Sequence, residues 1–115
     1  MTLTLHGIPN CDTVKKARMW LEARGVAYVF QDYKKHGIDA ATLGRWVDSV
    51  GWELLLKRAG TTFRKLPDFD KIGIDRAKAI ALMIAHPSMI KRPVVEGKGK
   101  LLVGFKPDDW ATTFG

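Results

Sequence analysis

Thr2-Leu3-Thr4-Leu5-His6-Gly7-Ile8 is an apolar, strand-like run that breaks at Pro9-Asn10, after which Cys11-Asp12-Thr13 lead into Val14-Lys15-Lys16-Ala17-Arg18-Met19-Trp20-Leu21. Ala17, Trp20 and Leu21 share one face at helical spacing, so a helix is expected from Asp12 or Thr13 to Arg24, with Gly25 as its stop. Val26-Ala27-Tyr28-Val29-Phe30 is β-branched and aromatic and reads as the second strand. A β-α-β order in so short a span predicts a parallel pair joined by a right-handed crossover.

Downstream, Tyr33-Lys34-Lys35-His36-Gly37 reads as a polar connection. Asp39 is placed to cap a helix through Leu43, Trp46, Val47 and Val50, which Gly51 ends. A short helix over Trp52 to Lys57 is followed by an expected loop from Ala59 to Pro67. Asp75 caps a further helix carrying Ala79, Leu82 and Met83, which ends near His86-Pro87. Val94-Val95-Glu96 and Leu101-Leu102-Val103 flank Gly97-Lys98-Gly99, the pattern of an antiparallel hairpin, and Pro107 opens a last helix through Trp110. The order is therefore β-α-β, an all-helical insert over about 39–87, then β-β-α. Apart from the insert this is the thioredoxin layout, an α/β fold with a four-stranded mixed sheet. Residues 1–115 are expected to form one such domain.

With 46% hydrophobic and 27% charged residues the composition is that of a soluble globular chain. There is one cysteine, which excludes an internal disulfide and a cysteine-based zinc site. His6, His36 and His86 lie far apart without ligand spacing, so no metal site is expected. No signal-peptide pattern and no apolar run of membrane-spanning length are present, which makes the cytoplasm the expected compartment. The net charge of +7 and pI near 9.8 come from lysines and arginines spread along the chain, with no basic run of five and no alternating aromatics. That pattern fits a solvated basic surface or a small-anion site, and argues against a nucleic-acid groove.

Cys11 is the first candidate for chemistry. At a helix start it faces unpaired N–H groups, and Lys15 and Lys16 follow closely, all of which favour the thiolate. The alternative is a small buried cysteine without chemistry. Lys15 and Lys16 stand at the end of a helix where a cation is disfavoured by the dipole, which fits a role near a thiolate. Asp12 and Thr13 are placed to cap the helix and shape the surroundings of the thiol. His6 reads as a packed side chain, and Trp20, Trp46 and Trp52 as core or interface.

Five stretches in order resemble one family. They are Gly7-Ile8-Pro9-Asn10-Cys11-Asp12-Thr13-Val14-Lys15-Lys16-Ala17-Arg18, Gly51-Trp52-Glu53-Leu54-Leu55 with Gly60-Thr61-Thr62-Phe63-Arg64-Lys65-Leu66, Met89-Ile90-Lys91-Arg92-Pro93-Val94-Val95, and Leu102-Val103-Gly104-Phe105. Together they resemble the arsenate reductase (ArsC)/Spx family, in particular its YffB-like branch, over essentially the whole chain. The resemblance implies that Cys11 is the nucleophile, that Arg92 binds a substrate oxyanion and that Pro93 is the cis-proline beside the cysteine. Two further anion-binding arginines of the arsenate reductases fall on Lys57 and Lys106, where lysine keeps the charge but loses the bidentate fork. Relatives often have arginine at the position of Lys15. Spx-type regulators commonly carry a Cys-x-x-Cys pair, and here the second position is Val14.

These residues imply a monothiol mechanism. Cys11 attacks an electrophilic sulfur as thiolate, and with no second cysteine the resolving thiol must come from outside. Glutathione is the expected co-substrate, its carboxylates suiting Arg92, Lys57, Lys106 and Arg64; glutaredoxin is a candidate protein partner, and no bound cofactor is expected. Two alternatives stay open: an arsenate reductase, and an Spx-like protein that touches the transcription machinery through its surface.

Overall fold

The computed structural model of the chain describes residues 2–114. In chain order its elements are β1 (Leu3–Gly7), α1 (Asp12–Ala23), β2 (Tyr28–Asp32), α2 (Tyr33–His36), α3 (Ala40–Val50), α4 (Trp52–Leu55), α5 (Thr61–Arg64), α6 (Asp68–Lys71), α7 (Arg76–Ala85), β3 (Val94–Gly97), β4 (Lys100–Val103) and α8 (Pro107–Phe114), with a 3-10 turn at Pro87–Met89. They fall into two compact units, Met1–His36 with Arg92–Gly115, and Gly37–Lys91.

The first unit holds the sheet, in the order β2-β1-β3-β4. β1 is parallel to β2 and antiparallel to β3, and β3 is antiparallel to β4. This is the four-stranded mixed sheet of a thioredoxin-like fold. Alternation along β1 sends Leu3 and Leu5 to one face, where Val95 of β3 joins them. Ala17 and Leu21 of α1 and Trp110 and Phe114 of α8 pack on that face, with Trp20 and Phe105 edge-on to Trp110 at centroid distances of 5.8 and 4.9 Å. Burying each of these large side chains contributes about 1.5–3 kcal/mol, so this layer is what holds α1 against β1.

One glycine fixes where α1 begins. A Cβ on Gly7 would lie 2.9 Å from Cγ2 of Val14, so the bare backbone at the end of β1 is what lets the first turn of α1 settle there. The β3–β4 hairpin turns at Lys98 and Gly99, both at positive φ (53° and 71°), the backbone of a tight primed turn.

In the second unit, the Asp39 carboxylate accepts the Thr42 N–H at 2.7 Å at the start of α3, and Asp75 accepts that of Lys78 at 2.9 Å at the start of α7. Both helices match their expected spans. The core here includes Leu43, Trp46, Leu55, Phe63, Met83 and Ile90. The unit is helical apart from a single bridge between Leu56 and Ile90.

The structure corrects three local expectations. The second strand begins at Tyr28 rather than Val26, because the Val26 N–H donates to Leu21 O and that of Gly25 to Glu22 O, which spends Val26 on closing α1. Residues Tyr33–His36 form a helical turn instead of an open connection, since the Asp32 carboxylate caps the Lys34 and Lys35 amides at 3.0 and 3.1 Å. Within the expected loop after Ala59, Thr61–Arg64 make a turn of helix that buries Phe63, and Asp68–Lys71 make another.

Candidate functional site

Cys11 is the N-cap residue of α1. Its backbone is extended (φ −134°, ψ 124°), its carbonyl accepts the Lys15 N–H at 2.9 Å, and its half-buried thiol stands before the first turn. Asp12 and Thr13 were expected to cap the helix; the cap position is instead Cys11, and both are exposed residues of the first turn, Asp12 placing a carboxylate at the positive end of the helix. The thiol closes no cap hydrogen bond of its own. Burial raises its pKa, but this is outweighed by the N–H dipole of Val14, a hydrogen bond from the Arg92 side chain, the Arg92 charge and the N–H dipole of Thr13, so the thiol titrates below its ordinary range. Cys11 is therefore a free thiol held toward its reactive form.

Sheet register explains how Arg92 reaches it. The antiparallel ladder runs from Thr4 with Glu96 to His6 with Val94, so Arg92, two residues before Val94, enters the sheet beside the end of β1 from which the chain runs to Cys11. From there the chain turns through Pro9 and Asn10 to Cys11. The Arg92–Pro93 peptide is cis, Pro93 is buried, and Pro93 O accepts the Gly104 N–H at 2.7 Å. That last bond ties the residues before β3 to those after β4.

Sequence reasoning missed Tyr33. The parallel ladder runs from Leu3 with Tyr28 to Gly7 with Asp32, so Tyr33 directly follows the residue paired with the end of β1, on the β2 side of it. Tyr33 is 2% exposed. Burial pushes the phenol well above its ordinary range, opposed by the Arg92 charge; the Cys11 and Asp32 charges raise it further, and Arg92 also donates a hydrogen bond to its oxygen. Tyr33 thus stays a neutral phenol beside Arg92. The available signal was a lone aromatic directly after a strand-ending Asp, in a stretch whose lysines and histidine made it look solvated.

The remaining candidates are placed as follows. Lys15 and Lys106 belong to the same unit as Cys11, and both have exposed side chains. Lys106 lies two residues beyond Gly104, and its carbonyl accepts the first backbone bond of α8, from Trp110 N–H at 3.0 Å. Lys57 and Arg64 belong to the second unit. Lys57 is half-buried and its N–H donates to Met89 O at 2.7 Å; Arg64 is exposed and its carbonyl accepts the Lys71 ammonium at 2.6 Å. His6 is paired with Glu96 across the sheet, Nε2 to Oε1 at 3.0 Å, which is a structural partnership. Among the described residues there is no cluster of three or more His, Cys, Asp or Glu able to hold a metal, and no helix long and apolar enough to cross a membrane.

Residues 6–113 match the ArsC family. An uncharacterized protein of Haemophilus influenzae is 35% identical over 97% of this chain and 98% of its own length. The global transcriptional regulator Spx of Streptococcus pyogenes is 28% identical over 93% of this chain and 81% of its own. Among solved structures, a protein named YffB superposes with a TM-score of 0.95 at 57% identity, covering 98% of this chain and 99% of that one. An arsenate reductase (ArsC) related protein from Brucella melitensis superposes with a TM-score of 0.79 at 58% identity, covering 99% and 95%. The family match runs along almost the whole length, and the chain belongs to the ArsC family.

Proposed function

We propose that the protein is a monothiol reductase that uses Cys11 as nucleophile and glutathione as co-substrate. The observation that carries this reading is the Arg92 side chain hydrogen-bonded to the thiol of the chain's one cysteine. The Cys11 thiolate attacks the glutathionyl sulfur of a mixed disulfide between glutathione and a substrate thiol. A Cys11–glutathione disulfide forms, the substrate sulfur leaves as thiolate and takes a proton from water. With no second cysteine in the chain, a glutathione thiolate attacks the glutathionyl sulfur of that adduct, forming glutathione disulfide and returning Cys11 as thiolate. One mixed disulfide and one free glutathione give one substrate thiol and one glutathione disulfide, so atoms and electrons balance. Arg92 stabilises the sulfur charge at the start and end of each exchange, and exposed Lys106 in the same unit suits a glutathione carboxylate. Glutaredoxin is the protein partner that would offer an equivalent thiol.

Incubation with oxidised glutathione followed by intact mass spectrometry tests the reading. One glutathione added per chain, absent in Cys11→Ser and released by reduced glutathione, is expected; no adduct on a chain whose Cys11 is alkylated by iodoacetamide would overturn it.

A regulator of the Spx kind is the second reading, favoured by the 28% identity to Spx along 93% of the chain. It predicts partner binding that survives Cys11→Ser. Arsenate reduction is less favoured, because the family resemblance puts Lys57 and Lys106 at two positions of oxyanion-binding arginines, and lysine lacks the fork that fits a tetrahedral oxyanion.

A further inference from the structure

We propose that Tyr33 is a positioning residue: its phenol oxygen, fixed in the capped turn after β2, holds the Arg92 guanidinium against the Cys11 sulfur. The inference rests on Cys11 and Arg92 being the working pair of the reductase reading.

Three observations support it. Gly7 pairs with Asp32 and His6 with Val94, so Tyr33 directly follows β2 and Arg92 shortly precedes β3 on either side of the end of β1 from which the chain runs to Cys11. The Asp32 carboxylate accepts the amides of Lys34 and Lys35, and this closes the turn in which Tyr33, alone among Tyr33–His36, is buried. The guanidinium donates both to the Tyr33 oxygen and to the Cys11 sulfur.

The chemistry needs such a holder. An arginine side chain has several rotatable bonds, and an exposed one samples many positions, so its charge acts on a thiolate only if something fixes the fork. A planar guanidinium offers donors pointing in different directions, enough for one on the phenol and another on the sulfur. The phenol is suited to the task because it is buried and neutral. A carboxylate in its place would bind Arg92 more strongly but would add a negative charge beside the thiolate and raise the thiol's pKa. Tyr33 touches neither glutathione nor the transferred sulfur in this account; it acts through Arg92.

The test is a cycle of Tyr33→Phe, Arg92→Gln and the double variant in the full chain. The rate of Cys11 alkylation by iodoacetamide is followed against pH, with thermal unfolding as a check on folding. Tyr33→Phe is expected to raise the alkylation midpoint and slow alkylation at pH 7 about fivefold, the loss of one hydrogen bond's worth of orientation. In the Arg92→Gln background the same change is expected to have no further effect on the midpoint. An unchanged midpoint in folded Tyr33→Phe, or equal effects with and without Arg92, would overturn the proposal.

If Tyr33→Phe does not fold, 3-fluorotyrosine is incorporated in a Tyr28→Phe chain, so that the fluorine resonance reports Tyr33 alone. That resonance is expected to titrate with the alkylation midpoint of Cys11; a flat response through that midpoint would overturn the proposal. Neither arm uses glutathione. Failure of the reductase reading shows as a missing Cys11–glutathione adduct in the unmodified chain, whatever Tyr33 does.

Discussion

The guanidinium of Arg92 donates a hydrogen bond to the sulfur of Cys11, joining the residue before β3 to the residue that starts α1. Neither is near the other in sequence. The antiparallel β1–β3 pairing brings the chain before β3 beside the end of β1, and the Gly7–Val14 approach sets where α1 begins. The reactivity of Cys11 therefore depends on sheet register as well as on its place at a helix start.

Removing the Arg92 charge should raise the Cys11 pKa and slow alkylation. Arg92→Gln is expected to reduce the alkylation rate at pH 7 about tenfold, whereas Arg92→Lys should recover part of the charge effect without the fork. Alkylation rates between pH 5 and 10 measure both.

The same shift links folding to pH. The folded pKa of Cys11 lies below its unfolded value, so thiolate formation adds stability that is present above the unfolded thiol range and is lost as pH falls through the folded pKa. Urea unfolding of the wild type and Cys11→Ser across that range should differ by an amount that shrinks toward acid pH. In Arg92→Gln the pH dependence should flatten. A constant difference at all pH values would show that Cys11 is not titrating differently in the fold.

Gly7→Ala should destabilise the chain by about 1–3 kcal/mol, the usual cost of forcing an extra methyl into a packed site. The new Cβ would meet Val14 Cγ2 at 2.9 Å. Combining it with Val14→Ala should cost less than the sum of the two single losses, because the added methyl takes the space that Val14 vacates. Denaturant melts of the four chains give the coupling.

Loss of the Asp32 carboxylate should loosen the turn that carries Tyr33. Asp32→Ala is expected to cost about 0.5–2 kcal/mol, typical of a lost cap, while Asp32→Asn should retain most of the stability by accepting the same amides. Proteolysis around Lys34 and Lys35 should accelerate in the alanine variant alone.

The parts of the fold legible in sequence were those with strong local signals. Caps at Asp39 and Asp75, helical spacing in α1, α3 and α7, and the glycine-lysine-glycine turn between β3 and β4 each announce themselves within a few residues. The start of β2 was displaced because Val26 has strand propensity, yet its amide closes α1. Short turns such as Thr61–Arg64 and Asp68–Lys71 span too few residues for any periodicity. In the site, Cys11 was visible from its position before a helix and Arg92 from its place beside Pro93 in a motif. Tyr33 was not visible. Its burial comes from an Asp32 cap and two strand registers, and a Tyr-Lys-Lys-His string carries neither.

The central claim, that Cys11 exchanges thiols with glutathione, is tested most directly by trapping the adduct. The wild-type chain mixed with oxidised glutathione at neutral pH should gain one glutathione, mapped to Cys11 by peptide mass spectrometry, and lose it on addition of reduced glutathione. Arg92→Gln should form the same adduct about tenfold more slowly, in step with its raised thiol pKa. A chain that iodoacetamide alkylates at Cys11 but that gains no glutathione would contradict the account.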